Sequence, residues 1–156
     1  MIKIKICGIT NLDDAMAAVD YGADALGFNF FRKSPRFIEP QRAAELIAQL
    51  PPFIASVGIF VNEREEKIRD TVALACLQGI QLHGDETPEF CQRFGARVIK
   101  AFQIKDKESL KHMAHYRVSA YLLDSYKEGV RGGTGETFDW HLAVVAKTFG
   151  RIILAG

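Results

Sequence analysis

The sequence has few of the features that assign a protein at sight. Its 156 residues include 3 cysteines (Cys7, Cys76 and Cys91), an odd number with no CxxC spacing, so neither a disulfide framework nor a thiolate-held zinc site organises it. No apolar run is long enough to span a bilayer, and the opening MIKIKICGIT is a strand pattern, not a signal peptide. These two absences point to a cytoplasmic protein with no membrane partner. A net charge of +1 gives no field to attract nucleic acid, so an anionic ligand must be held by local groups. There is no low-complexity segment and no linker. The turn Cys7-Gly8-Ile9-Thr10 lacks the GxGxxG of a dinucleotide-binding fold.

What is present is an ordinary globular composition. With 48% hydrophobic and 25% charged residues the chain can build a core, and 1–156 reads as one domain. Short β-branched runs alternate with amphipathic stretches. Strands are predicted at Ile2–Ile6, Ala25–Asn29, Ala55–Val61, Gly79–Leu82, Arg97–Phe102, Ala120–Leu123 and Arg151–Leu154. Helical spacing appears in Leu12, Ala15, Met16 and Val19, in Ala43, Leu46, Ile47 and Leu50, and in Leu142, Val145, Ala146 and Phe149. Asn11, Asn62 and either Thr87 or Asp85 are placed to cap helices, and Pro40 and Pro88 suit first turns. Cys76 and Cys91 fall on apolar helical faces and read as small buried hydrophobes.

Strict β-α alternation leaves an open doubly wound sheet or a closed barrel. Polar residues end many successive strands: Cys7, Asn29, Asn62, His83 and Asp124. A (β/α)8 TIM barrel gathers such positions into one site, whereas an open sheet binds at its switch point, so the barrel is expected. Strand parity puts Lys3, Lys5 and Cys7 on one face and Ile2, Ile4 and Ile6 on the other. The isoleucines are expected to pack against the helices and the lysines to point to the barrel axis. Gln81 shares a face with His83, and Asp124 with Leu122 and Ala120. From the residues alone, Cys7 reads as a buried thiol, Asp124 as a turn cap and Arg36 as a solvated surface arginine.

A set of ordered motifs changes that balance. Lys5-Ile6-Cys7-Gly8-Ile9-Thr10 is similar to the opening signature of the phosphoribosylanthranilate isomerases. Gly22-Ala23-Asp24-Ala25-Leu26-Gly27-Phe28, Lys33-Ser34-Pro35-Arg36 and Val57-Gly58-Ile59-Phe60-Val61-Asn62 follow in family order. So do Gln81-Leu82-His83-Gly84, Leu122-Leu123-Asp124 and Gly132-Gly133-Thr134-Gly135, the last leading into Thr137-Phe138-Asp139-Trp140. Each is weak alone; together they span the chain.

The resemblance implies an Amadori rearrangement of a phosphoribosyl-anthranilate in tryptophan biosynthesis, with no cofactor and no metal. Such chemistry needs one acid and one base facing the sugar. The resemblance assigns Cys7 as base and Asp124 as acid, and places Arg36, Gln81, His83 and Gly156 at the substrate. A thiol with an ordinary pKa of about 8.5 needs activation, for which Lys5 and the N-terminus of the first helix are the candidates. Arg36 suits the carboxylate of anthranilate through two parallel hydrogen bonds. The family pattern continues past Gly156, so the resemblance implies strands 1–7 and helices 1–6 of an incomplete barrel, with strands 1 and 7 as open edges. Monomer and homodimer are both open. The competing readings are a non-catalytic barrel fragment or module of a bifunctional enzyme that needs a partner segment, and a different phosphosugar isomerase.

Overall fold

The computed structural model describes residues 2–95, 97–125 and 140–155. The elements run β1 (Lys5–Cys7), α1 (Leu12–Asp20), β2 (Ala25–Asn29), α2 (Pro40–Ile47), β3 (Ala55–Phe60), α3 (Glu65–Leu74) and β4 (Gly79–Leu82). They continue with α4 (Pro88–Gln92), β5 (Val98–Ile104), α5 (Lys107–Lys111), a 3-10 turn (His112–His115), β6 (Ala120–Ser125), α6 (Trp140–Ala146) and β7 (Ile152–Leu154). The strands lie in sequence order, β1 to β7. The pairs β1–β2, β2–β3, β5–β6 and β6–β7 are parallel, so a helix must return the chain between strands. The chain divides into two units, Met1–Gln81 and Leu82–Gly156.

Local chemistry explains where the helices start. The Asn11 side chain accepts from Asp14 N at 2.8 Å, and the Thr87 hydroxyl accepts from Phe90 N at 3.2 Å. Pro40 and Pro88 fill first-turn positions, where a missing N–H costs nothing. In the first unit Leu26, Phe28, Leu46, Phe60 and Ile68 are among the largest fully buried side chains. Phe30 stacks on Phe60 with ring centroids 5.2 Å apart. In the second unit Ile104, Leu110, Met113, Tyr121, Leu123, Leu142, Ala143 and Ala146 form one core cluster. Because Tyr121 and Leu123 of β6 face α5 and α6 there, Leu122 and Asp124 face the other side of the strand.

Several sequence expectations are corrected. The strand expected at Ile2–Ile6 is ordered as a ladder only over Lys5–Cys7. Asp24 explains this, since its carboxylate accepts from Lys3 Nζ at 2.6 Å and Ile4 N at 2.9 Å, which takes the Ile4 amide out of strand pairing. Lys3 is thus an exposed ion-pair partner, not an axis residue. Ile2, Ile4 and Ile6 are 86%, 48% and 42% exposed, not packed on helices, because no described element covers that face of the first strand. Cys91 is buried as expected, but Cys76 is exposed and lies past the end of α3 with φ 50°. Asn62 is not the N-cap of α3; it too has φ 50°, a left-handed conformation that asparagine tolerates, and α3 starts after Arg64. On α6 the buried residues are Leu142, Ala143 and Ala146, while Val145 faces solvent.

Candidate active site

The first group of site residues stands at the carboxyl ends of β1 and β2. Cys7 is half-buried and is in register with Gly27 of β2. A Cβ at Gly27 would lie 2.8 Å from Cys7 Sγ, so the glycine makes room for the thiol. Parity places Lys5 on the same face, where its ammonium lies close enough to Cys7 to interact with it and donates a hydrogen bond to Gln81 Oε1. Burial pulls the Lys5 pKa below its ordinary value, and the neighbouring Cys7 opposes that shift. Gln81 is itself 2% exposed, which makes it a fixed acceptor for Lys5.

Arg36 comes from the loop after β2. That loop is folded by Asn29, whose Oδ1 accepts from Phe31 N at 2.9 Å and whose Nδ2 donates to Ser34 Oγ at 3.0 Å. Ser34 Oγ also accepts from Arg36 N at 3.2 Å. The guanidinium then reaches back to donate to the Cys7 carbonyl at 3.4 Å. It passes over Gly8, which has φ 86° and where a Cβ would overlap the arginine side chain. Arg36 is therefore beside Cys7, exposed, with donors left for a ligand.

The second group belongs to the second unit. Asp124 ends β6, is 1% exposed, and its Oδ2 lies 3.2 Å from His83 Nε2. Its Oδ1 is buried and has no hydrogen-bond partner among the described residues. A buried carboxyl oxygen costs stability unless a donor meets it. A groove of about 840 Å³ opens beside His83 and Gly84 and is bordered by Lys100, Phe102, Gln103 and Tyr116. Behind His83, Lys100 and Glu86 form an ion pair at 3.3 Å with both side chains 3% exposed. Burial pushes the nearby Cys91 thiol up to about 11, with Lys100 opposing and Glu86 adding to the shift.

The sequence-predicted residues thus fall into two sets, Cys7, Arg36 and Gln81 in one unit and His83 and Asp124 in the other. Gly156 and the Gly132–Gly135 cluster lie outside the described residues. The helix that follows Cys7, α1, begins at Leu12, beyond its cap Asn11. Sequence reasoning missed Lys100 and Glu86; a lone lysine inside the apolar run Val98-Ile99-Lys100-Ala101-Phe102 was the available signal. No cluster of three or more metal-ligating side chains occurs among the described residues. No helix among them is long and apolar enough to cross a membrane.

Alternating strands and helices with acid–base and cationic side chains at the strand ends define an enzyme with a TIM-barrel-like fold. The family described as N-(5′-phosphoribosyl)anthranilate (PRA) isomerase matches residues 4–156, and the chain belongs to that family. The N-(5′-phosphoribosyl)anthranilate isomerase of Geotalea uraniireducens is 57% identical over 156 residues, which cover 100% of this chain and 77% of the relative. Among solved structures, phosphoribosyl anthranilate isomerase from Thermotoga maritima superposes with TM-score 0.89 at 40% identity, covering 100% of this chain and 77% of its own. Another, at 38% identity and TM-score 0.84 over 99% of this chain and 75% of its own, is a complex with reduced 1-(o-carboxyphenylamino)-1-deoxyribulose 5-phosphate. The activity is accordingly that of a PRA isomerase of tryptophan biosynthesis, and the reading as a non-catalytic module is not favoured.

Proposed function

We propose that the Amadori step is carried by Cys7 as general base and Asp124 as general acid, with Arg36 holding the substrate carboxylate. Asp124 protonates the ribose ring oxygen, and the C1′–O bond opens to a protonated Schiff base. Cys7 takes the C2′ proton, giving an enolamine that tautomerises to the aminoketose, so substrate and product differ only in where their hydrogens lie. The small-molecule partner is N-(5-phosphoribosyl)anthranilate and the product 1-(2-carboxyphenylamino)-1-deoxyribulose 5-phosphate.

The observation that carries this reading is Asp124, a carboxyl 1% exposed, tethered through Oδ2 to His83, with Oδ1 unpartnered among the described residues. The tether fixes which oxygen is left for the sugar, which is what a positioned proton donor requires. At the other group, Lys5 beside Cys7 supplies the cation that the base form of the thiol would face, and Gln81 holds that lysine. Gln81 therefore supports the site through Lys5. The full substrate set also includes Gly156, expected to open the phosphate-binding region.

The test is turnover followed by anthranilate fluorescence. Cys7→Ala and Asp124→Asn should each fold normally and lose kcat by at least about a hundredfold, the scale of a positioned acid or base. A kcat close to wild type in either variant removes that residue from the mechanism.

A further inference from the structure

Two buried opposite charges stand behind His83 without a part in the proton transfers. The β5–β6 register pairs Gln103 with Asp124, so Lys100, three positions earlier, leaves β5 on the opposite face. Its ammonium donates to Gly84 O at 2.8 Å, Ala101 O at 2.9 Å and, more distantly, Leu82 O at 3.4 Å. It lies 3.3 Å from Glu86 Oε2. The Glu86 carboxylate in turn accepts from Gly84 N through both oxygens, at 3.1 and 2.9 Å. The Glu86 carbonyl accepts from Tyr116 Oη at 2.9 Å. The Leu82 carbonyl, the Gly84 N–H and the Gly84 carbonyl, which flank His83, are therefore engaged by this one pair.

Burying two ions is a poor way to gain stability, because desolvation offsets most of their attraction and an apolar pair fills the same space. What an apolar pair cannot do is bind three backbone groups flanking one residue. We propose that Glu86 and Lys100 are positioning residues for the acid step: they fix the backbone around His83 so that Nε2 stays on Asp124 Oδ2, leaving Oδ1 for the sugar. The proposal rests on Asp124 being the acid.

A double replacement, Glu86→Gln with Lys100→Met, removes both charges and leaves neither unpaired. It should melt close to the wild-type temperature and lose kcat about ten- to a hundredfold with little change in KM, the cost of a small misplacement. In a His83→Asn background the same double replacement should have almost no further effect on kcat, because the pair acts through His83. Wild-type kcat in the double variant, or an equal fold loss in both backgrounds, overturns the proposal. If the double variant does not fold, Glu86→Asp keeps the charge and draws the carboxylate back from Gly84. It should lower kcat at unchanged KM, and an unaltered kcat there overturns the proposal too. Asp124→Asn measured alongside separates the two claims. Undiminished turnover in Asp124→Asn sinks the acid assignment, whereas its loss combined with an undisturbed pair variant sinks only the role of the pair.

Discussion

Gly27 and Cys7 show how much a single missing side chain does at the proposed base. Gly27→Ala puts a methyl 2.8 Å from the sulfur and 3.1 Å from Ile59 Cδ1, so the thiol or the strand must shift. Overpacking of this kind costs roughly 1–3 kcal/mol, and the thiol's displacement should lower kcat more than it raises KM. Steady-state kinetics with a parallel melting curve checks both. Arg36 is legible only through its motif, since an exposed loop arginine has no periodic signature. Arg36→Lys retains the charge but loses the planar fork, and KM should rise about tenfold with kcat largely kept. An unchanged KM takes Arg36 out of the carboxylate site.

At the level of elements, the alternation of strand and helix was readable because apolar spacing reports it directly. The carboxyl ends of the strands were not. The apolar run of β5 stops at Phe102 and that of β6 at Leu123, yet pairing continues through Gln103↔Asp124 and Ile104↔Ser125. A working strand end is polar, and polarity is what periodicity takes for a loop. Lys100 was hidden for the related reason that its partner Glu86 lies on a different element and only the fold brings them together. The loop after β2 is likewise built by a residue with a dull sequence reading. Asn29→Ala removes the bonds to Phe31 and Ser34 that shape the approach of Arg36. It should raise KM by several-fold, on the order of 1 kcal/mol, and leave kcat near wild type. A fall in kcat at constant KM would show that the loop shapes the chemistry and not the grip.

For the molecule as a whole, alkaline pH separates two effects of opposite sign. Cys91 stays protonated when folded up to about 11, while the unfolded thiol ionises near 8.5, so stability falls as pH rises between them. Partly buried Tyr116 and buried Tyr121, both raised, add to the loss above about 10. Lys5 works the other way, since its lowered value makes stability rise as pH approaches about 10.4. Comparing wild type with Cys91→Ala isolates the first effect: the variant should lose less stability between pH 8.5 and 11, by on the order of 2 kcal/mol. Parallel slopes in chemical denaturation would rule it out. The oxygen of Asp124 that has no partner among the described residues also enters the folding balance, where it works against the native state. If Asp124 is the acid proposed above, a ligand that donates to this oxygen offsets that cost. Product analogue should consequently raise the Tm of wild type more than that of Asp124→Asn, measured side by side. Equal ligand-induced shifts in the two proteins would separate this oxygen from ligand binding, and a smaller shift in the variant would make one buried atom the link between the fold's stability and its occupancy.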